Sequence, residues 1–130
     1  NFALVYDGKL FVGLVLYWEA AEYLYIEHFC ILQALRNRHY GQRTLDLLAE
    51  CGKTLLLEID PPTDAIACRR KAFYERCGFS ENLFPHIHPP YHAENHGHAL
   101  VVMTYPLPIP QEKYNDFYRY LTEKVMKDVF

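Results

Sequence analysis

The sequence predicts a mixed α/β domain, and three observations carry that expectation. Residues 2–31 read as three strands joined by short turns. Residues 39–77 read as helix, buried strand and helix. After a stretch rich in histidine and proline come one more strand and an amphipathic helix. Strands in a meander followed by helix–strand–helix make a sheet that is antiparallel early and parallel later. The 130 residues suffice for one domain with one core.

Each element has a local reason. Residues 2–6 are apolar and strand-like. Asp7-Gly8 is a hairpin turn signal, with residues 10–18 as the returning strand. Residues 19–22 connect to a third strand at 23–31, rich in aromatic and β-branched side chains. A helix is expected from about 39 to 51. Leu45, Leu48 and Cys51 form its narrow apolar face, and Gly52 is its natural cap. TLLLEI, residues 54–59, is nearly continuous apolar sequence, the pattern of a strand buried on both faces in a parallel pairing.

Pro61-Pro62 stops that strand. Thr63 or Asp64 caps the next helix, which runs to about Cys77 with Gly78 closing it. Ile66, Arg70, Phe73 and Cys77 are expected on one face. Residues 79–98 read as loop and residues 99–105 as strand. Pro106, Pro108 and Pro110 precede a C-terminal helix whose apolar stripe is Tyr114, Phe117, Tyr118, Leu121 and Val125.

Composition narrows the function. The formal charge is -3, which disfavours a general nucleic-acid binder. Two local basic clusters stand out: Arg36, Arg38 and Arg43, then Arg69, Arg70 and Lys71, six of the 13 Lys and Arg. Such clusters on an acidic chain suit one compact anionic ligand better than a long polyanion. The longest apolar run, residues 11–18, is too short to span a bilayer, so no membrane partner is expected. No secretory signal is visible. The chain starts without Met and reads as strand almost at once, so a missing N-terminal segment is expected. Cys30, Cys51, Cys68 and Cys77 form no CxxC pair; Cys30 and Cys51 are read as buried free thiols in a reducing, cytoplasmic compartment.

The stretch LRNRHYGQRTLDLL, residues 35–48, brings basic residues and a glycine to a helix start. A helix N-terminus has N–H groups without intrahelical partners and a positive dipole end, which attract phosphate. Neither GxxxxGK[ST] nor GxGxxG occurs, so neither a P-loop nor a dinucleotide fingerprint is present. Taken alone, this is also what a solvated basic turn looks like.

A second stretch, AFYERCGF at residues 72–79, changes the weighing. Together the two resemble the GNAT superfamily of N-acetyltransferases. That family carries R/Q-x-x-G-x-G/A at a helix start, around the pyrophosphate of acetyl-coenzyme A, and later a helix ending in Tyr-x-x-x-Gly-Phe. Here the parts are Arg36-Asn37-Arg38-His39-Tyr40-Gly41 and Tyr74-Glu75-Arg76-Cys77-Gly78-Phe79, with residues 55–59 between them. Starting at Arg36 rather than Arg38 puts Leu45 and Leu48 where the family has its buried leucines. The match covers roughly residues 2–105, and residues 117–130 resemble the extra C-terminal helix of one bacterial subgroup.

The resemblance implies direct attack of an acceptor amine on the thioester of acetyl-coenzyme A, with both substrates bound. Its implied cofactor-binding residues are Phe29, Cys30, Ile31, Arg36, Asn37, Arg38, His39, Tyr40, Gly41 and Gln42, with Arg70 as a further phosphate contact. Backbone groups of Cys30 and Ile31 would meet the pantetheine and acetyl carbonyl. Glu27 is the candidate base, with His28 second, and Tyr74 the candidate proton donor to the departing thiolate at an ordinary phenol value of about 10. Two departures stand out: His39 replaces the first glycine, and Ala67 stands where many members have Asn. A domain that has lost catalysis and binds a ligand or partner is the alternative.

The acceptor that the resemblance implies is a small-molecule or peptide amine, and the aromatic C-terminal stripe leaves a homodimer open. His86, His88, His92, His96 and His98 contain HxH spacing, a real ligand spacing, and allow a metal-dependent or regulatory module. Only Glu94 offers a carboxylate there, so no metal is expected. With Tyr91 the loop is expected to cover the acceptor side of the cleft.

Overall fold

The structure is a computed structural model that describes residues 1–88 and 98–125. His92, Glu94, Tyr91 and His96, part of the histidine stretch above, lie outside the described residues. The chain forms two compact units, Asn1–Leu57 and Glu58–Phe130.

In the first unit, β1 (Phe2–Asp7), β2 (Leu10–Glu19) and β3 (Tyr23–Ile31) pair antiparallel, and β4 (Thr54–Ile59) runs parallel to β3. The meander and the parallel strand are those the patterning predicts. Gly8 takes φ 60, the left-handed geometry its hairpin needs. Helix α1 (Tyr40–Ala49) connects β3 to β4 after a 3-10 turn at Gln33–Leu35. It stops short of the expected end, and Gly52 at φ 78 turns the chain beyond it. Leu45 is buried and Leu48 half-buried, but Cys51 lies past the last helical turn and is exposed. Cys30 is exposed as well. The buried thiol is Cys77, so the expectation for Cys30 and Cys51 is corrected.

The second unit contains α2 (Ala65–Arg76), β5 (Ser80–Asn82), β6 (Ile87–His88), β7 (His98–Ala99), β8 (Val101–Tyr105) and α3 (Gln111–Tyr120). Asp64 caps α2: its Oδ1 accepts from the Ala67 N–H at 2.8 Å. The face of α2 that is buried holds Ala67, Tyr74 and Cys77, whereas Ile66 is 62% exposed and Arg70 is exposed. The expected face was therefore rotated, because the apolar Ile66 misled the pattern. Residues 79–98 are not all loop. β5 pairs antiparallel with β8, and β6 with β7. Such short strands owe their state to distant partners and carry no local signal. Tyr114, Phe117 and Leu121 are buried, as the stripe predicts. Asn82 fastens the proline segment: its amide nitrogen donates to Thr104 Oγ1 at 2.8 Å, and its oxygen accepts from the Ile109 N–H at 2.8 Å.

Candidate cofactor and acyl-transfer site

The first unit supplies an open strand edge. The parallel ladder ends at Ile26–Leu57, while β3 continues to Ile31. Beyond that rung the backbone of β3 has no pairing to β4, which leaves donors and acceptors for an extended ligand. Here too β3 bulges. Tyr17 pairs with Ile26 and Leu16 with His28, so Glu27 is the extra residue. A bulge re-aims side chains, and strict alternation of Glu27 with His28 does not hold. Glu27 is half-buried, and its Oε1 accepts from Trp18 Nε1 at 3.0 Å. The partner is a neutral indole, which orients the carboxylate without adding a charge. His28 and Cys30 are exposed, Phe29 and Ile31 half-buried.

Gly13 holds the far side of this edge close. A Cβ there would stand 2.1 Å from the Cys30 carbonyl oxygen. Sequence patterning gives no hint of this role, because the clash lies across the ladder.

The loop before α1 has the form a phosphate cradle needs. Asn37 (φ 68) and His39 (φ 63) are both left-handed. His39 is the N-cap of α1 and makes no side-chain cap. The Arg43 N–H reaches the His39 carbonyl at 3.0 Å. The N–H groups of Tyr40, Gly41 and Gln42 therefore precede the first intrahelical donor. Arg36, Asn37, Arg38, His39 and Gln42 are exposed. Among the described residues neither Arg36 nor Arg38 has an ion-pair partner, whereas Arg43 lies 3.7 Å from Asp7. The Tyr40 hydroxyl donates to Asp7 Oδ2 at 2.8 Å, so this side chain anchors α1 to the hairpin and leaves only its backbone for a ligand. That hydrogen bond pushes the Tyr40 phenol above its ordinary value. Helix N–H groups and two guanidiniums without an ion-pair partner among the described residues make a donor set that suits an anion such as phosphate.

His39 takes a left-handed backbone form, φ 63, that glycine adopts freely, at a cost of about 1–2 kcal/mol. His39→Gly removes that cost, while the freer unfolded chain offsets about 0.5–1 kcal/mol. The expected net gain is roughly 0.5–1 kcal/mol in urea denaturation. A loss of stability instead would mean the imidazole makes contacts that outweigh the strain.

In the second unit, Tyr74 is 9% exposed, and its ring meets Phe73 and Phe79 edge-on at 5.2 and 5.5 Å. Burial pushes its phenol up to about 12, with Arg70 opposing. The ordinary value assumed from sequence is thus corrected: Tyr74 is a weaker acid than a free phenol. Between about pH 10 and 12 the folded chain binds this proton and the unfolded chain does not, so stability falls as pH rises through that window. Tyr74→Phe should flatten part of that alkaline loss in denaturation curves taken on both sides of it. Arg70 lies 3.4 Å from Asp60, and both are exposed. Ala67 is buried, which leaves no polar group at that position.

A further cluster escaped the sequence reading. Glu58 Oε2 stands 2.5 Å from His86 Nε2, and His86 Nδ1 stands 2.8 Å from the Tyr114 hydroxyl. The side chains of His86 and Glu58 are 0% and 5% exposed. The available signal was the lone carboxylate inside TLLLEI. Of the histidine stretch, His86 is thus a core residue, and no group of metal-ligating side chains occurs among the described residues.

The model of the acetyltransferase (GNAT) family matches residues 1–79. The chain belongs to the GNAT family. No curated protein matches it. Among solved structures, one assigned to the GNAT acetyltransferases, from Bacteroides thetaiotaomicron, shares 31% identity at TM-score 0.88, covering 96% of this chain and 72% of that one. A Bacillus subtilis acetyltransferase in complex with CoA matches at 11% identity and TM-score 0.57, over 84% of this chain and 76% of that one. An Arabidopsis thaliana protein in complex with the bisubstrate analogue CoA-Ac-MVNAL matches at 18% and 0.55, over 79% and 70%. The latter two share the GNAT fold alone with this chain.

Proposed function

We propose that this GNAT chain transfers the acetyl group of acetyl-coenzyme A to a primary amine, by direct attack while both substrates are bound. The observation that carries this reading is the cradle. Two exposed guanidiniums, Arg36 and Arg38, with no ion-pair partner among the described residues, precede a helix start whose first N–H groups have no helical acceptor, after a strand that runs past its last rung with β4. The pyrophosphate is assigned to Arg36, Asn37, Arg38 and the N–H groups of His39, Tyr40, Gly41 and Gln42. The pantetheine arm and acetyl carbonyl are assigned to the backbone of Phe29, Cys30 and Ile31, with Arg70 a further phosphate contact.

Glu27 takes a proton from the attacking amine, positioned by Trp18. Tyr74 donates a hydrogen bond to the departing sulfur and keeps its own proton at working pH. The acceptor is a small amine, an amino acid or a peptide N-terminus. The four free cysteines, three of them exposed, suit a reducing cytoplasm. The rival reading, a GNAT domain without catalysis, draws on Ala67. Its other support is His39, whose left-handed φ of 63 weighs against it, since the loop still makes a turn that glycine favours.

The test is calorimetry and thermal shift with acetyl-coenzyme A, beside the analogue lacking the 3′-phosphate. At 100 times Kd the expected stabilisation is about 2.7 kcal/mol, a shift on the order of 10 °C. A smaller shift with the analogue would show that basic residues read that phosphate. No binding of either would end the reading.

A further inference from the structure

We propose that the acceptor is a primary amine carrying one apolar or aromatic group, seated on the open face of the first unit's sheet with its ammonium on Glu27. The proposal rests on the acetyl-transfer reading and names the substrate class of that site. It adds no chemical step.

The register of β1, β2 and β3 sorts their side chains onto two faces. Leu16 and Trp18 stand two apart on β2 and point the same way. Trp18 donates to Glu27, which places the carboxylate on their side. The rungs Phe2–Leu16–His28 and Leu4–Leu14–Cys30 lie on this face too. The opposite face carries Val15 and Ile26, and both are buried. On the face of Trp18, Phe2 and Leu4 are 62% and 51% exposed, and Leu14, Leu16 and Trp18 are half-buried. Neighbouring apolar side chains left open in this way mark a recognition surface.

Charge says what that surface recognises. β1, β2 and β3 carry three carboxylates, Asp7, Glu19 and Glu27. Asp7 has Arg43 at 3.7 Å, and Glu19 has Lys53 at 2.7 Å. Glu27 joins no ion pair among the described residues. Its Oε1 meets the neutral indole of Trp18, and its Oε2 has no partner among them. No buried side-chain oxygen among them lacks a partner, so Oε2 is open to a ligand. A half-buried carboxylate without a cation is costly. A ligand ammonium supplies the missing charge through a charge-assisted hydrogen bond. One carboxylate meets one ammonium. A polyamine or an aminoglycoside would bring several and set the rest against apolar side chains.

The strand spacing sets the size. Glu27 on β3 and Phe2 on β1 are two strand spacings apart, about 10 Å, with Leu16 of β2 between them. An amine within that reach, such as 2-phenylethylamine or isoamylamine, lays its apolar group over Leu16 toward Phe2.

Two measurements on the whole chain test this. Trp18 is the sole tryptophan, so its emission reports on this face. In the first, that emission is followed in the presence of coenzyme A as 2-phenylethylamine or the uncharged 2-phenylethanol is added. A saturable change is expected, with the alcohol at least about 10-fold weaker than the amine. Glu27→Gln should bring the two within about twofold of each other. Equal binding of alcohol and amine by the parent chain overturns the proposal. So does emission that responds to dilution of the chain and not to the amine, which would put a second copy on this face.

In the second, kcat/KM for acetyl transfer is compared among 2-phenylethylamine, isoamylamine, glycine, spermidine and kanamycin. The two apolar amines are expected to lead by at least about 10-fold. Phe2 is exposed, so Phe2→Ser spares the fold. It should lower kcat/KM for 2-phenylethylamine about 5-fold and leave glycine within about twofold. An equal effect on both amines, or on neither, overturns the proposal. Glycine, spermidine or kanamycin used as well as the apolar amines overturns it too, and leaves the transfer reading standing. No binding of acetyl-coenzyme A, or no transfer to any amine by a chain that binds it, ends the transfer reading and this proposal with it.

Discussion

Gly13→Ala is expected to lower stability by about 3 kcal/mol, a drop in Tm on the order of 10 °C. The new Cβ would sit 2.1 Å from the Cys30 carbonyl oxygen and 3.1 Å from the Cys30 carbonyl carbon and the Ile31 Cα. All three are backbone atoms, so no side chain can swing aside. β2 and β3 must part where they pair, at the Gly13–Ile31 and Leu14–Cys30 rungs. Against the 5–15 kcal/mol typical of a whole domain, about 3 kcal/mol is a large share. Urea denaturation with matched thermal scans measures it. The same strand segment is assigned to the pantetheine arm, so affinity for acetyl-coenzyme A should fall as well. A cost below about 1 kcal/mol would show that these strands slide apart freely.

Tyr74→Phe is expected to lower kcat by about 100-fold, the usual size for one hydrogen-bond donor aimed at developing negative charge. Affinity for acetyl-coenzyme A should hardly change, because that bond strengthens only as the sulfur leaves. The ring remains packed on Phe73 and Phe79, so stability at neutral pH should stay within about 0.5 kcal/mol. The phenol, held up at about 12 by burial, stays protonated through the working range. No alkaline limb from Tyr74 is therefore expected in the rate profile below about pH 10. A fall in affinity with kcat intact would make Tyr74 a binding residue and leave the sulfur to another donor.

The elements legible in the sequence are those with local causes. Asp7-Gly8 sets its hairpin through turn chemistry. TLLLEI announces a buried parallel strand through its apolar run. Asp64 caps α2 through a bond three residues away. The start of α1 was legible because the glycine and the leucine spacing that mark it lie within one stretch. The misreadings have the opposite character. Cys30 and Cys51 looked apolar in pattern, yet one lies on an exposed strand position and the other past the end of its helix. Ile66 drew the buried face of α2 away from Ala67 and Tyr74.

The sequence by itself determined the family, the early meander, the helix–strand–helix that follows it and the C-terminal helix, because each follows from residues near one another in the chain. Only the tertiary structure decided three further matters. It made Glu27 a bulge residue held by Trp18, which depends on cross-strand register. It gave Gly13 its close approach to Cys30. It joined Glu58 to His86, 28 residues on, and His86 to Tyr114, a further 28. The physical reason is common to all three. A hydrogen bond or a steric limit belongs to two groups at once, and the second group stands where only the folded chain brings it.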